Sequence, residues 1–101
     1  MIRHIVMFKF KEEADGRSKK ENLELAKKIF ENLKPSISVI LKDEIKINLE
    51  EADKNNYDFI YIADFENLET LNEYAVHPEN VKCINFLKNV REDRVEINFE
   101  I

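Results

Sequence analysis

One cysteine, one glycine, two prolines and no tryptophan occur among the 101 residues. The single thiol, Cys83, has no partner for an intramolecular disulfide, so the fold depends on packing. One glycine and two prolines leave little material for a linker, and neither an internal repeat nor a low-complexity tract is present. A single domain over residues 1–101 is the expectation. Long hydrophobic runs are also lacking. The longest stretch without a charge is Pro35–Leu41, seven residues, against the ~20 needed to span a bilayer. Lys9 and Lys11 interrupt the only apolar N-terminal segment, so no secretory leader is expected and a cytoplasmic location is. Basic charge is in deficit, 16 against 21 acidic groups for a net −5, which argues against nucleic acid or an anionic membrane as the main partner. The 44% apolar content is spread throughout the chain and is enough for a core.

Arg3–Phe10 alternates with period 2, His4, Val6, Phe8 and Phe10 against Ile5, Met7 and Lys9, and reads as a strand. Lys11–Arg17 reads as a polar loop. Ser18 opens a capping box with Glu21, and Leu23, Ala26, Ile29, Phe30 and Leu33 form a helical stripe that Pro35 is expected to stop. Ser38–Ile47 reads as a second strand whose alternation slips around Lys42–Glu44, as at a bulge or bend, and Asn48–Asn56 as a polar connection. Tyr57–Phe65 is the clearest strand. Asn67 caps a short helix through Val76, His77-Pro78 breaks it, and a second helix to about Val90 presents Val81, Ile84, Leu87 and Val90. Arg94–Ile101 alternates as the last strand.

The order β-α-β-β-α(α)-β is that of the ferredoxin-like split βαβ, an α+β fold with a four-stranded antiparallel sheet and its helices on one face. The two central strands are apolar on both faces, whereas an antiparallel sheet with one wet face should be polar there. No element remains to cover Ile5, Met7, Ile60 and Ile62. A second copy is the simplest cover, so a sheet-to-sheet homodimer is expected.

Few residues offer chemistry. His4, mid-strand among apolar neighbours, is either a general base tuned by burial or a core histidine satisfied by a neighbour. Tyr74 either donates to a ligand oxygen or fills the core with its hydroxyl toward water. His77 precedes Pro78 and is expected to cap the next helix. Asp58 and Asp64 read as solvated or interface groups, and Cys83 as a buried thiol. His4, His77 and Cys83 show no ligand spacing, so no metal is expected.

Three segments carry a resemblance. His4-Ile5-Val6-Met7-Phe8-Lys9-Phe10-Lys11-Glu12, Tyr74-Ala75-Val76-His77-Pro78 and Arg94-Val95-Glu96-Ile97-Asn98-Phe99-Glu100 resemble, in this order, the opening strand, helix break and closing strand of the stress-responsive A/B-barrel (Dabb) family. The resemblance implies a dimeric α+β barrel of ferredoxin-like subunits, and a cavity between sheet and helices lined by the strand-one histidine and the helix tyrosine. In the plant polyketide cyclases of that family such residues assist a cofactor-free cyclisation. Their match here is His4 and Tyr74, with Phe8, Phe59, His77 and Asn80 as expected pocket neighbours and no cofactor. The sequence departs from the cyclases where Asn80 and Phe59 replace two histidines.

Two functional readings follow. The first is a stress-responsive A/B-barrel-like homodimer without assigned chemistry, holding a small apolar or aromatic molecule. The alternative is a cofactor-independent enzyme (cyclase, isomerase or monooxygenase-like) acting on a small aromatic or polyketide-like substrate, with His4 as base and Tyr74 as hydrogen-bond donor. A cavity entered by both side chains favours the enzyme, and a filled core the first reading.

Overall fold

The alternation of the first strand survives folding intact: His4, Val6, Phe8 and Phe10 are buried, while Ile5, Met7 and Lys9 stand on the opposite face. A computed structural model describes all 101 residues. The main sheet is built from β1 (Ile2–Phe10), β4 (Lys42–Ile47), β5 (Phe59–Phe65) and β6 (Arg91–Glu100). Their order is β4-β5-β1-β6, all neighbours antiparallel. The helices α1 (Lys19–Glu31), α2 (Leu33–Ser36), α3 (Leu68–Val76) and α4 (Pro78–Val90) complete the ferredoxin-like order. Two two-residue strands, β2 (Glu13–Ala14) and β3 (Arg17–Ser18), form a small hairpin before α1.

The core lies between helices and sheet. Phe30 of α1 packs on Phe59 and Tyr61 of β5, with ring centroids 4.8 and 4.9 Å apart, and Phe10 stacks on Phe59. Burial of these rings supplies the main driving force for closing the helices over the sheet. Asn22 is wholly buried yet satisfied: its Oδ1 accepts from Arg17 Nε at 2.6 Å and its Nδ2 donates to the Ala14 carbonyl at 3.1 Å. The capping box at Ser18 and Glu21 is present in full.

Several local expectations need correction. Lys11–Arg17 is a hairpin rather than a plain loop, because Asp15 and Gly16 adopt left-handed φ of 54° and 75° and make the tight two-residue connection between β2 and β3. The first helix ends at Glu31, capped by Asn32, whose Nδ2 donates to the Lys28 carbonyl. Pro35 then sits in the first turn of α2, where its missing N–H has no intrahelical partner to lose. Burial of Leu33 and Ile37 on either side holds Lys34 helical despite the proline that follows.

The second long strand starts at Lys42, not Ser38. Ile37 and Ile40 are buried three apart on a turn, with the Ile40 N–H on the Ile37 carbonyl, so the slip in alternation marks a strand start rather than a bulge. In α4 the buried stripe is Asn80, Cys83, Leu87 and Val90, while Val81 and Ile84 stay 41% and 38% exposed. Asp58 and Asp64 are buried rather than solvated. Asp58 accepts from the Phe10 N–H at 2.8 Å, and Asp64 holds Arg3 by two hydrogen bonds of 2.8 and 3.0 Å.

The sheet face away from the helices is apolar across three strands. Ile5 lies between Ile62 and Ile97, and Met7 between Ile60 and Val95. Ile97 is 59% exposed. No helix is long and apolar enough to cross a membrane.

Candidate functional site

Strand β6 faces the helices with its polar side. Phe8 is opposite Arg94, Val6 opposite Glu96 and His4 opposite Asn98, and side chains directly opposite across a pair share a face. This edge strand therefore adds a polar row to an otherwise apolar inner surface. Between that row, β1 and helices α3 and α4 lies a cavity of about 370 Å³. Val6, Phe8, Phe30, Leu71, Ile84 and Leu87 supply its apolar wall, and His4, Tyr74, Asn80, Cys83, Arg91, Arg94, Glu96 and Asn98 its functional groups.

His4 is anchored from β6. Its Nδ1 lies 2.7 Å from Asn98 Oδ1 and 3.4 Å from Glu96 Oε2. An amide or carboxylate oxygen only accepts, so Nδ1 carries the proton and the neutral ring keeps its lone pair on Nε2. Nε2 takes no hydrogen bond from the protein, and no buried side-chain nitrogen or oxygen is left without a partner, so Nε2 opens on the cavity. The Tyr74 hydroxyl opens there as well: the residue lines the cavity, and its oxygen takes no protein hydrogen bond yet is not sealed from solvent. The two rings lie 5.6 Å apart between centroids.

The polar row forms a chain. Asn98 Nδ2 donates to Glu96 Oε2 at 3.0 Å, and the Arg94 guanidinium donates to Glu96 Oε1. Burial alone pushes the Glu96 carboxyl up, but the Asn98 amide, Arg94 and His4 outweigh it and hold Glu96 below the usual carboxylate range. The charge absent from Val6, Phe8 and Phe10 is thus supplied to His4 by the neighbouring strand. Burial raises Tyr74 well above an ordinary phenol, so at neutral pH it is a hydrogen-bond donor and not a base. Burial also pushes the Cys83 thiol up to about 12, far from a nucleophilic thiolate.

Of the residues singled out from the sequence, His4, Tyr74, Phe8 and Asn80 line this cavity together. Phe59 and His77 do not. Phe59 is 2% exposed and packed among Phe8, Phe10 and Phe30, and Phe30 stands between β5 and the space. His77 is the N-cap of α4, its Nδ1 accepting from the Glu79 N–H at 3.1 Å. Asn80 is tied down, its Nδ2 on the Ala75 carbonyl at 3.2 Å. Sequence reasoning misses Arg91, Arg94, Glu96 and Asn98, although the topology points to them: in this fold the last strand lies beside the first, opposite His4. No three His, Cys, Asp or Glu side chains gather where they could hold a metal.

No curated protein matches the chain in sequence. Solved structures do match in fold. A dimeric protein of unknown function with a ferredoxin-like fold from Bacteroides fragilis is 29% identical, with a TM-score of 0.83 over 99% of this chain and 95% of that one. A dimeric ferredoxin-like protein of unknown function from Thermobifida fusca is 24% identical, with a TM-score of 0.84 over 99% and 90%. Hydroxynitrile lyase from Passiflora edulis is 17% identical, with a TM-score of 0.78 over 99% and 92%, and shares the fold alone. The sequence profile of the stress responsive A/B barrel domain matches residues 2–101. The chain belongs to the stress-responsive A/B barrel domain family.

Proposed function

We propose that the chain works as a homodimer, outer sheet face against outer sheet face, and that each protomer holds a small apolar or aromatic molecule between β1, β6 and the helices. The observation that carries the binding role is a cavity with apolar walls into which two polar atoms, His4 Nε2 and Tyr74 Oη, open without protein partners. Concave apolar space with a few convergent polar groups is the usual form of a small-molecule site. The dimer is supported by the apolar face across β5, β1 and β6, and by the dimeric relatives. A sheet-on-sheet contact of this kind buries on the order of 1,600 Å².

The same two atoms support a second reading, cofactor-independent proton transfer. His4 Nε2 would take a proton from the bound molecule, Glu96 would offset the imidazolium charge formed 3.4 Å away, and Tyr74 would donate to the developing oxyanion. A cavity entered by both side chains is what this second reading requires. Against it, Asn80 and Phe59 stand where the cyclases carry two further histidines, and only one imidazole faces the space, so binding remains the primary role. An NMR titration with naphthol, following the His4 ring signals, tests it. The His4 signals should shift saturably while His77, a helix cap, stays still. Unmoved His4 signals at saturating naphthol would overturn the binding role.

A further inference from the structure

Arg91 reaches the cavity through an irregularity of the strand. Asp93 is opposite Lys9, but Arg91 is opposite Phe10, so the register shifts and Glu92 is an extra residue. In a regular strand, residues three apart face opposite ways. The bulge cancels this and turns Arg91 to the same face as Arg94, and both line the cavity. The two guanidiniums differ in what they already hold. Arg94 is paired with Glu96. Arg91 makes no ion pair and no side-chain hydrogen bond, and the nearby Asp93 carboxylate is engaged by the Tyr57 hydroxyl. An unpaired, half-buried guanidinium at one end of an apolar space offers a fork of donors that matches a carboxylate. His4 marks the other end, six residues along β1, about 20 Å of backbone away.

We propose that the bound molecule is an elongated organic carboxylate, its acid group on Arg91 and its apolar body running toward His4 and Tyr74. The assignment rests on the binding role above and narrows it to a chemical class. Its probes are phenylbutyrate and the isosteric, uncharged phenylbutyramide, with naphthol as reference, titrated into the wild-type protein and followed by the His4 ring signals and by calorimetry. The wild type should bind phenylbutyrate at least tenfold tighter than phenylbutyramide. Arg91→Met, which keeps the aliphatic stem, should bind both alike, at the affinity the wild type shows for the amide, and Arg91→Lys should restore part of the preference. Equal binding of acid and amide by the wild type, with naphthol still bound, would overturn the carboxylate assignment and leave the binding role standing. A preference undiminished in Arg91→Met would overturn it too. If naphthol leaves His4 unmoved, the binding role itself fails.

Discussion

His4 on the first strand and Asn98 on the last are 94 residues apart in sequence and directly opposite in the sheet, with Nδ1 2.7 Å from Oδ1. The pair sets the direction of the imidazole: the proton is held on the strand side and the lone pair is offered to the cavity. Long-range nitrogen–proton NMR spectra should show the neutral His4 ring as the Nδ1–H tautomer. Asn98→Leu should weaken that preference and cost about 1 kcal/mol of stability. A dominant Nε2–H tautomer in the wild type would contradict the arrangement.

Tyr74 separates function from stability. Its hydroxyl has no protein partner, so Tyr74→Phe should change the unfolding free energy by no more than about 0.5 kcal/mol, while weakening naphthol binding. If the chain turns over a substrate, His4→Ala and Tyr74→Phe should both abolish turnover with the fold intact. Full activity in both variants toward a confirmed substrate would place the chemistry elsewhere.

The helical layer is held by Phe30 against Phe59 and Tyr61. Phe30→Ala should lower stability by about 3–5 kcal/mol in urea unfolding. Asn22→Ala removes the acceptor of Arg17 Nε and the side-chain donor to the Ala14 carbonyl, and should cost about 1–3 kcal/mol. Losses under about 0.5 kcal/mol at both sites would contradict the packing described.

Asp64 links stability to pH. The two hydrogen bonds from Arg3 hold its carboxyl below the usual range. Its contribution is therefore complete above the unfolded-chain value of ~3.9 and is lost as pH falls through the lower, folded value. Asp64→Asn should melt at a lower temperature than the wild type at pH 7, and the gap should narrow below about pH 4. A constant gap across that range would show that the carboxylate charge is not the cause.

Much of the fold is legible in the residues. The alternation of Arg3–Phe10, the Ser18 capping box and the His77-Pro78 break carry local signals strong enough to survive folding. What escapes is set by tertiary context. Arg91–Arg94 is four charged residues without alternation, yet it begins β6 directly after α4, because pairing with β1 and the bulge at Glu92 supply the order. His4 and Tyr74 are visible as chemistry-bearing residues on separate elements. Glu96 and Asn98 look like the wet side of an edge strand until β6 is set beside β1. Phe59, by contrast, is drawn away from the cavity by its aromatic neighbours, which parity along a strand cannot reveal.

Charge on the outer sheet face tests the assembly. Ile60→Glu or Ile5→Glu would place a carboxylate in the middle of the contact, and should give monomers or aggregates in sedimentation where the wild type sediments as a dimer. Wild-type dimerisation unaffected by either variant would place the contact on another surface.

The central claim, a homodimer whose protomers each hold a small organic molecule, is tested most directly by native mass spectrometry of freshly purified protein, before and after adding naphthol. The predicted spectrum is that of a dimer which carries an organic adduct or takes up two naphthol molecules, one per protomer. A wild-type monomer, or a dimer that carries no adduct and takes up no naphthol, would contradict the claim.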